Sequence, residues 1–117
     1  MKIVRFDREV GKKVTHFDSN FVLSRLLRTN GQTQVSAMHL EENGIIGYHE
    51  ARVPQMLLVV SGTGYVRSGE QAEQQIGPGE AVYWKQGEWH ETRTVQGLMA
   101  IVVESAEEEL DIRAPFK

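Results

Sequence analysis

Read for hydrophobic and polar positions, the chain breaks into short apolar or alternating runs: QVSAMHL at 34–40, QMLLVVS at 55–61, EAVYW at 80–84 and LMAIVVES at 98–105. Turn-forming residues lie between them: Asn30-Gly31, Asn43-Gly44, Gly62-Thr63-Gly64, Ser68-Gly69, Gly77-Pro78-Gly79, Gln86-Gly87 and Gln96-Gly97. Short strands with a turn roughly every ten residues predict an all-β sandwich or barrel. Asn30-Gly31 is the sharpest of these signals, because both residues tolerate the positive φ that a tight hairpin requires. The segment DSNFVLSRLLRT at 18–29 is open to two readings. It can be a helix capped by Ser19 or Asn20, with Leu23, Leu26 and Leu27 on one face. Because it runs straight into Asn30-Gly31, the preferred expectation is a strand paired with residues 33–40. No repeat, linker or low-complexity stretch interrupts the sequence. A single β-barrel domain over residues 1–117 is expected.

Composition narrows the setting. With 117 residues the chain can bury a core without covalent staples, and with no cysteine it has neither disulfides nor thiolate metal ligands. No apolar run nears the roughly 18 residues that span a bilayer, and MKIVRFDREVG lacks a signal-peptide core. A cytoplasmic protein without a membrane partner is the expectation. The net charge of −3 argues against nucleic acid, which demands a basic face. Charge is uneven: Lys2, Arg5, Arg8, Lys12, Lys13, Arg25 and Arg28 crowd the first 30 residues, and Glu104, Glu107, Glu108, Glu109 and Asp111 lie near the end. The preferred reading of the latter is a solvated acidic tail, with docking of the two termini as the alternative. Apolar residues of segment 1–29 (Ile3, Val4, Phe6, Phe17, Phe21, Val22, Leu23) exceed what a lone edge safely exposes, so a homodimer is expected.

Candidate chemistry rests on four histidines. His16 sits in a polar stretch and is expected to be exposed, and His39 lies within an expected strand. His49 and His90 each follow a glycine-bearing turn at the start of a strand. The spacing Gly44-x4-His49-Glu50-Ala51-x3-Gln55-x6-Gly62, followed by Gly79-x5-Lys85-Gln86-Gly87-x2-His90-x3-Thr94, resembles the two motifs of the cupin superfamily, at 44–62 and 79–94.

That resemblance implies a small double-stranded β-helix (jelly-roll-like) barrel holding a divalent metal near one mouth. It would be held by two histidines and a glutamate of the first motif and one histidine of the second. Here His49 matches the first histidine and His90 the last, Gln55 stands at the glutamate position and Ala51 at the second histidine. Lys85 and Thr94 depart at the proline and asparagine positions. In such a barrel His49 and Ala51, two apart on a strand, would both point inward, with Glu50 outward. His90, Thr92 and Thr94 would likewise face in while Glu91 and Arg93 face out. Two imidazoles and a neutral amide suit zinc, copper, iron, nickel or manganese, though Gln55 brings no charge to offset the ion. Tyr48, Met56, Trp84 and Trp89 are candidate lining of the mouth, and Arg52 a candidate partner for an anionic ligand. Two readings follow. One is a metal centre on His49, Gln55 and His90 serving a small organic ligand, with oxygenase- or isomerase-type chemistry. The other is a metal-free small-molecule-binding module.

Overall fold

The computed structural model describes residues 1–106 and 109–117. Its strands are β1 (Lys2–Arg5), β2 (Lys12–Val14), β3 (Phe21–Leu23), β4 (Leu27–Arg28), β5 (Thr33–Leu40), β6 (Ile45–Glu50), β7 (Gln55–Ser68), β8 (Gln74–Ile76), β9 (Glu80–Trp84), β10 (Trp89–Ser105) and β11 (Asp111–Ile112). The helical residues among those described form two short 3-10 turns, Arg8–Val10 and His16–Asp18. The expected all-β fold is thus observed. The main sheet has the order β1-β9-β7-β10-β5, with β6 on β10 and β8 on β7. Among the described residues this path does not close on itself, so the barrel is an open one.

The long strands β7 and β10 carry the architecture, because each serves two halves of the sheet. The near part of β10 pairs with β6 and with the far end of β7, through His90↔Ser68 and Thr92↔Val66. Its distal part pairs with β5 and the start of β7, through Val102↔Ser36 and Val102↔Leu57. Register shifts between Thr94 and Leu98, and again at Met99/Ala100, separate the halves. Extra residues of this kind bend a strand and increase its twist. Gly62 and Gly97 meet at that bend, both at positive φ (81° and 125°). A Cβ on Gly62 would lie 2.2 Å from the Gly97 carbonyl oxygen, so only glycine lets the backbones approach this closely.

Six of the seven turn signals hold a left-handed residue: Asn43, Gly62, Gly69, Gly79, Gly87 and Gly97. The exception is the one that looked sharpest. Neither Asn30 nor Gly31 has positive φ, and no hairpin forms there. Residues 18–29 accordingly do not pair with 33–40. They form β3, which pairs with β2, and β4, which pairs with β11, and β5 joins β10 instead. Long-range pairing with the apolar LMAIVVES strand outweighs a local turn, since it buries far more apolar surface.

The run MLLV at 56–59 is apolar at every position because this part of β7 is covered on both faces. Leu57 and Val59 join Ile3, Val66, Ile76, Val82, Trp84, Leu98, Ala100 and Val102 in the interior cluster. Met56 and Leu58 face the other way, with Val4, Ala81 and Tyr83, and are covered by Leu110 and Ala114. The cover is held down by Arg113 N–H and Ala114 N–H donating to the Leu26 carbonyl (2.7 and 3.1 Å) and by Arg5 N–H donating to the Pro115 carbonyl (2.9 Å). The solvated-tail reading is therefore corrected: the chain's end docks on its beginning. Glu104 belongs to β10, Asp111 to β11, and Glu107 and Glu108 lie outside the described residues. Ile3 and Val4 are buried, while Phe17, Phe21 and Leu23 are exposed.

Candidate functional site

A cavity of about 170 Å³ opens where β6, the start of β7 and both halves of β10 face one another. Its lining includes His49, Gln55 and His90, so the three residues singled out by spacing are brought to one place. Leu57, Val102, Ile46 and Met38 supply apolar wall, and Glu50, Arg52 and Glu104 add charge.

His49 and His90 are directly opposed across the β6–β10 pair, with ring centroids 4.4 Å apart. Each ring is held from behind by a backbone carbonyl. His49 Nδ1 lies 2.6 Å from the Gly47 oxygen, and His90 Nδ1 lies 3.1 Å from the Glu88 oxygen. A carbonyl only accepts, so each Nδ1 carries a proton and, in the neutral ring, Nε2 keeps its lone pair. His90 is 2 % exposed and stacks on Trp84, centroids 4.1 Å apart and planes 22° from parallel. Burial depresses its pKa below the usual histidine value, outweighing the Glu88 carbonyl, which raises it; nearby His49 lowers it further. His90 is thereby held neutral, the form in which an imidazole donates a lone pair.

The loop before His90 is tied through Glu88. Its carboxylate accepts from Lys85 N–H (3.1 Å) and Ser68 Oγ–H (2.8 Å) and pairs with the amino group of Met1. Burial pushes the Glu88 pKa up, but these hydrogen bonds prevail and hold it below the ordinary glutamate range. Its carbonyl also accepts from Ala51 N–H (3.0 Å), which anchors the end of the His49 strand. Ala51 is buried at 1 % exposure, whereas His49, two residues before it, is exposed, and Ala51 does not line the cavity.

Several expectations need correction. Glu50, expected to face away, borders the cavity. Met56 is fully buried in the opposite cluster and does not line the mouth. Trp89 and Tyr48 pair with each other on the outside, centroids 5.5 Å apart and both partly exposed, leaving Trp84 as the aromatic wall. Thr94 does face inward, as expected, and there closes the bend: its hydroxyl donates to the Thr63 carbonyl (2.7 Å) and accepts from Gly97 N–H (3.0 Å). Glu91 does face outward, bound by Arg67 at 3.1 Å. Sequence reasoning missed Glu104 by placing it in a tail. The alternation of LMAIVVES, which puts Leu98, Ala100 and Val102 on the interior face, was the signal that could have found it.

The paired imidazoles thus lie at one mouth of an open β fold. A model of the cupin domain matches residues 36–104, and the chain belongs to the cupin family. No curated protein matches its sequence. Among solved structures, it is similar to a cupin superfamily protein from Desulfitobacterium hafniense, with TM-score 0.61 and 11% identity over 71% of this chain and 75% of that one. It is also similar to the DMSP lyase DddQ from Ruegeria pomeroyi, with TM-score 0.60 and 18% identity over 64% of this chain. An oxalate decarboxylase from Bacillus subtilis gives TM-score 0.60 and 16% identity over 65% of this chain. The matches span only 39% of the lyase chain and 22% of the decarboxylase chain, and at these identities the likeness is one of fold.

Proposed function

We propose that this cupin binds a divalent metal through His49 and His90, with Gln55 beside them, and admits a small organic ligand to the adjoining cavity. The observation that carries this reading is the pair of imidazoles whose Nδ1 atoms are both engaged by backbone carbonyls. Metal-ligating histidines are oriented in this way, since the carbonyl fixes the tautomer and aims Nε2. Two imidazole nitrogens favour zinc, copper, iron, nickel or manganese over calcium or magnesium. When bound, such an ion supplies Lewis-acid polarisation of a chelating oxygen, the property that oxygenase- and isomerase-type reactions use. The chain's own part is to orient two imidazole donors, to exclude bulk water with Trp84, Leu57 and Val102, and to limit size. A cavity near 150 Å³ takes a guest about as large as benzene, so the ligand has a handful of heavy atoms.

A second reading, the metal-free binding module, has its own observation. Among the described residues, no three His, Cys, Asp or Glu side chains stand close enough to share an ion. Titration calorimetry of the metal-stripped, tag-free protein with Zn²⁺ and Mn²⁺ separates the two: binding with one ion per chain supports the metal centre, and heats no larger than those of the His49→Ala/His90→Ala variant support the module. We also propose a homodimer, supported by Val35 on edge strand β5 (63% exposed), Val60 (53%) and Phe17 (99%).

A further inference from the structure

The cavity holds a carboxylate that the family spacing does not point to. On β10 the side chains of Leu98, Ala100 and Val102 face the interior cluster, and strict alternation places Glu104 on the same face. Glu104 is the cross-strand partner of Gln55, which is in turn the partner of Trp84, so Trp84, Gln55 and Glu104 form one row across the sheet at the cavity's rim. Opposed side chains in such a row lie about 5 Å apart at Cβ, well within reach of each other's surroundings. Among the described residues nothing hydrogen-bonds to or pairs with the Glu104 carboxylate, although Arg52 lines the same cavity. Other carboxylates nearby are bound, Glu91 of this strand by Arg67, Glu73 by Arg93 and Glu80 by Lys117, whereas Glu50 at the rim of the same cavity also lacks a partner among the described residues. A partly buried, unpaired carboxylate is costly and persists where a cation is to be received.

We propose that Glu104 supplies the anionic ligand that Gln55 cannot, so that the ion is held by His49, His90 and Glu104. This rests on the metal reading above and moves the charge one strand sideways, from β7 to β10. Glu50 is the competing carboxylate. It alternates with His49 on β6 and its backbone opposes Trp89, an outward residue, so it borders the cavity from the rim instead of facing the imidazoles. Because no three His, Cys, Asp or Glu side chains among the described residues share one point, Glu104 must rotate about its side-chain bonds on binding. The amide of Gln55, held by the Val53 carbonyl at a long 3.5 Å, is then placed to donate to the bound carboxylate.

The test is titration calorimetry and thermal melting of metal-stripped, tag-free protein with Zn²⁺ and with Mn²⁺, on wild type, Glu104→Gln, Glu50→Gln and Glu91→Gln. Glu104→Gln is expected to weaken binding at least tenfold, and to raise the melting temperature of the metal-free protein while shrinking the rise that metal produces. A merely structural role would lower both. Glu50→Gln and Glu91→Gln are expected to change the dissociation constant less than threefold. Unchanged affinity in Glu104→Gln, with wild type binding normally, overturns this proposal and leaves the metal centre standing. A tenfold loss in Glu50→Gln instead overturns it in favour of the rim carboxylate. Failure of wild type to bind either ion overturns the metal reading itself and, with it, this inference.

Discussion

On the outer side of β10, Arg67 grips Glu91 at 3.1 Å and lies over the Tyr48 ring, while Arg93 grips Glu73 at 2.7 Å and lies over Tyr65. On the inner side of the same strand, His90 is buried against Trp84 and Glu104 has no partner among the described residues. The outer residues sit next to water, where an unpaired charge costs little, and yet all are paired. Pairing would repay most on the inner side, and there the Glu104 carboxylate, unlike the His90 ring with its Glu88 carbonyl, goes without it among the described residues. Charges matched on the cheap side and unmatched on the expensive side mark the inner face as the one shaped for something other than folding.

Removing the inner imidazoles should have the largest effect. The His49→Ala/His90→Ala variant is expected to lose metal affinity by more than a hundredfold in calorimetry. His90→Ala alone should also cost about 2 kcal/mol in urea unfolding, since it leaves a void against Trp84. Retained affinity in the double variant would place any ion elsewhere.

Gln55→Glu sharpens the contrast from the other direction. It sets a second carboxylate opposite Glu104, so the metal-free protein should lose about 1–2 kcal/mol. Zn²⁺ should restore that loss and more, because it gains an anionic ligand. Destabilisation that added metal does not rescue would mean that the cavity is not a metal site.

Acidity probes the same face. The depressed pKa of His90 means that below pH 6.5, the ordinary histidine value, the unfolded chain takes up a proton before the folded one does. The stability due to neutral His90 is therefore complete above that pH and is lost as pH falls toward its lower folded-state value. Melting temperature should drop through this window in wild type and drop less in His90→Gln. Parallel pH curves for the two proteins would assign the acid sensitivity to other groups.

The smallest effect is expected outside. Arg67→Ala should lower the melting temperature only slightly, since an ion pair open to solvent contributes little, and leave metal affinity alone. Sedimentation equilibrium tests the dimer in the same set of proteins; a monomer at micromolar concentration would remove it.

Much of this contrast can be read in the sequence, and its limits have physical causes. The runs QVSAMHL, QMLLVVS, EAVYW and LMAIVVES all lie in strands, and both-face burial leaves its continuous apolar signature in the middle two. Most turns are equally legible, because a left-handed backbone selects Gly or Asn. Residues 18–29 were misread because their partners β2 and β11 are too short to advertise themselves, and β11 is also far away in sequence. His49, Gln55 and His90 share a cavity as their spacing implies. Glu104 and Glu50 escaped, the first hidden in an apparently acidic tail, the second on the outward phase of a strand that ends at the cavity's rim.

The central claim is that the unpaired inner face receives a metal ion. Elemental analysis of tag-free protein, purified without added metal beside the His49→Ala/His90→Ala variant, tests it most directly. The account predicts a transition metal in wild type at a substantial fraction of one per chain, and none above background in the variant. Equal metal content in both proteins, or none in either after incubation with Zn²⁺ and Mn²⁺ and removal of the excess, would contradict it.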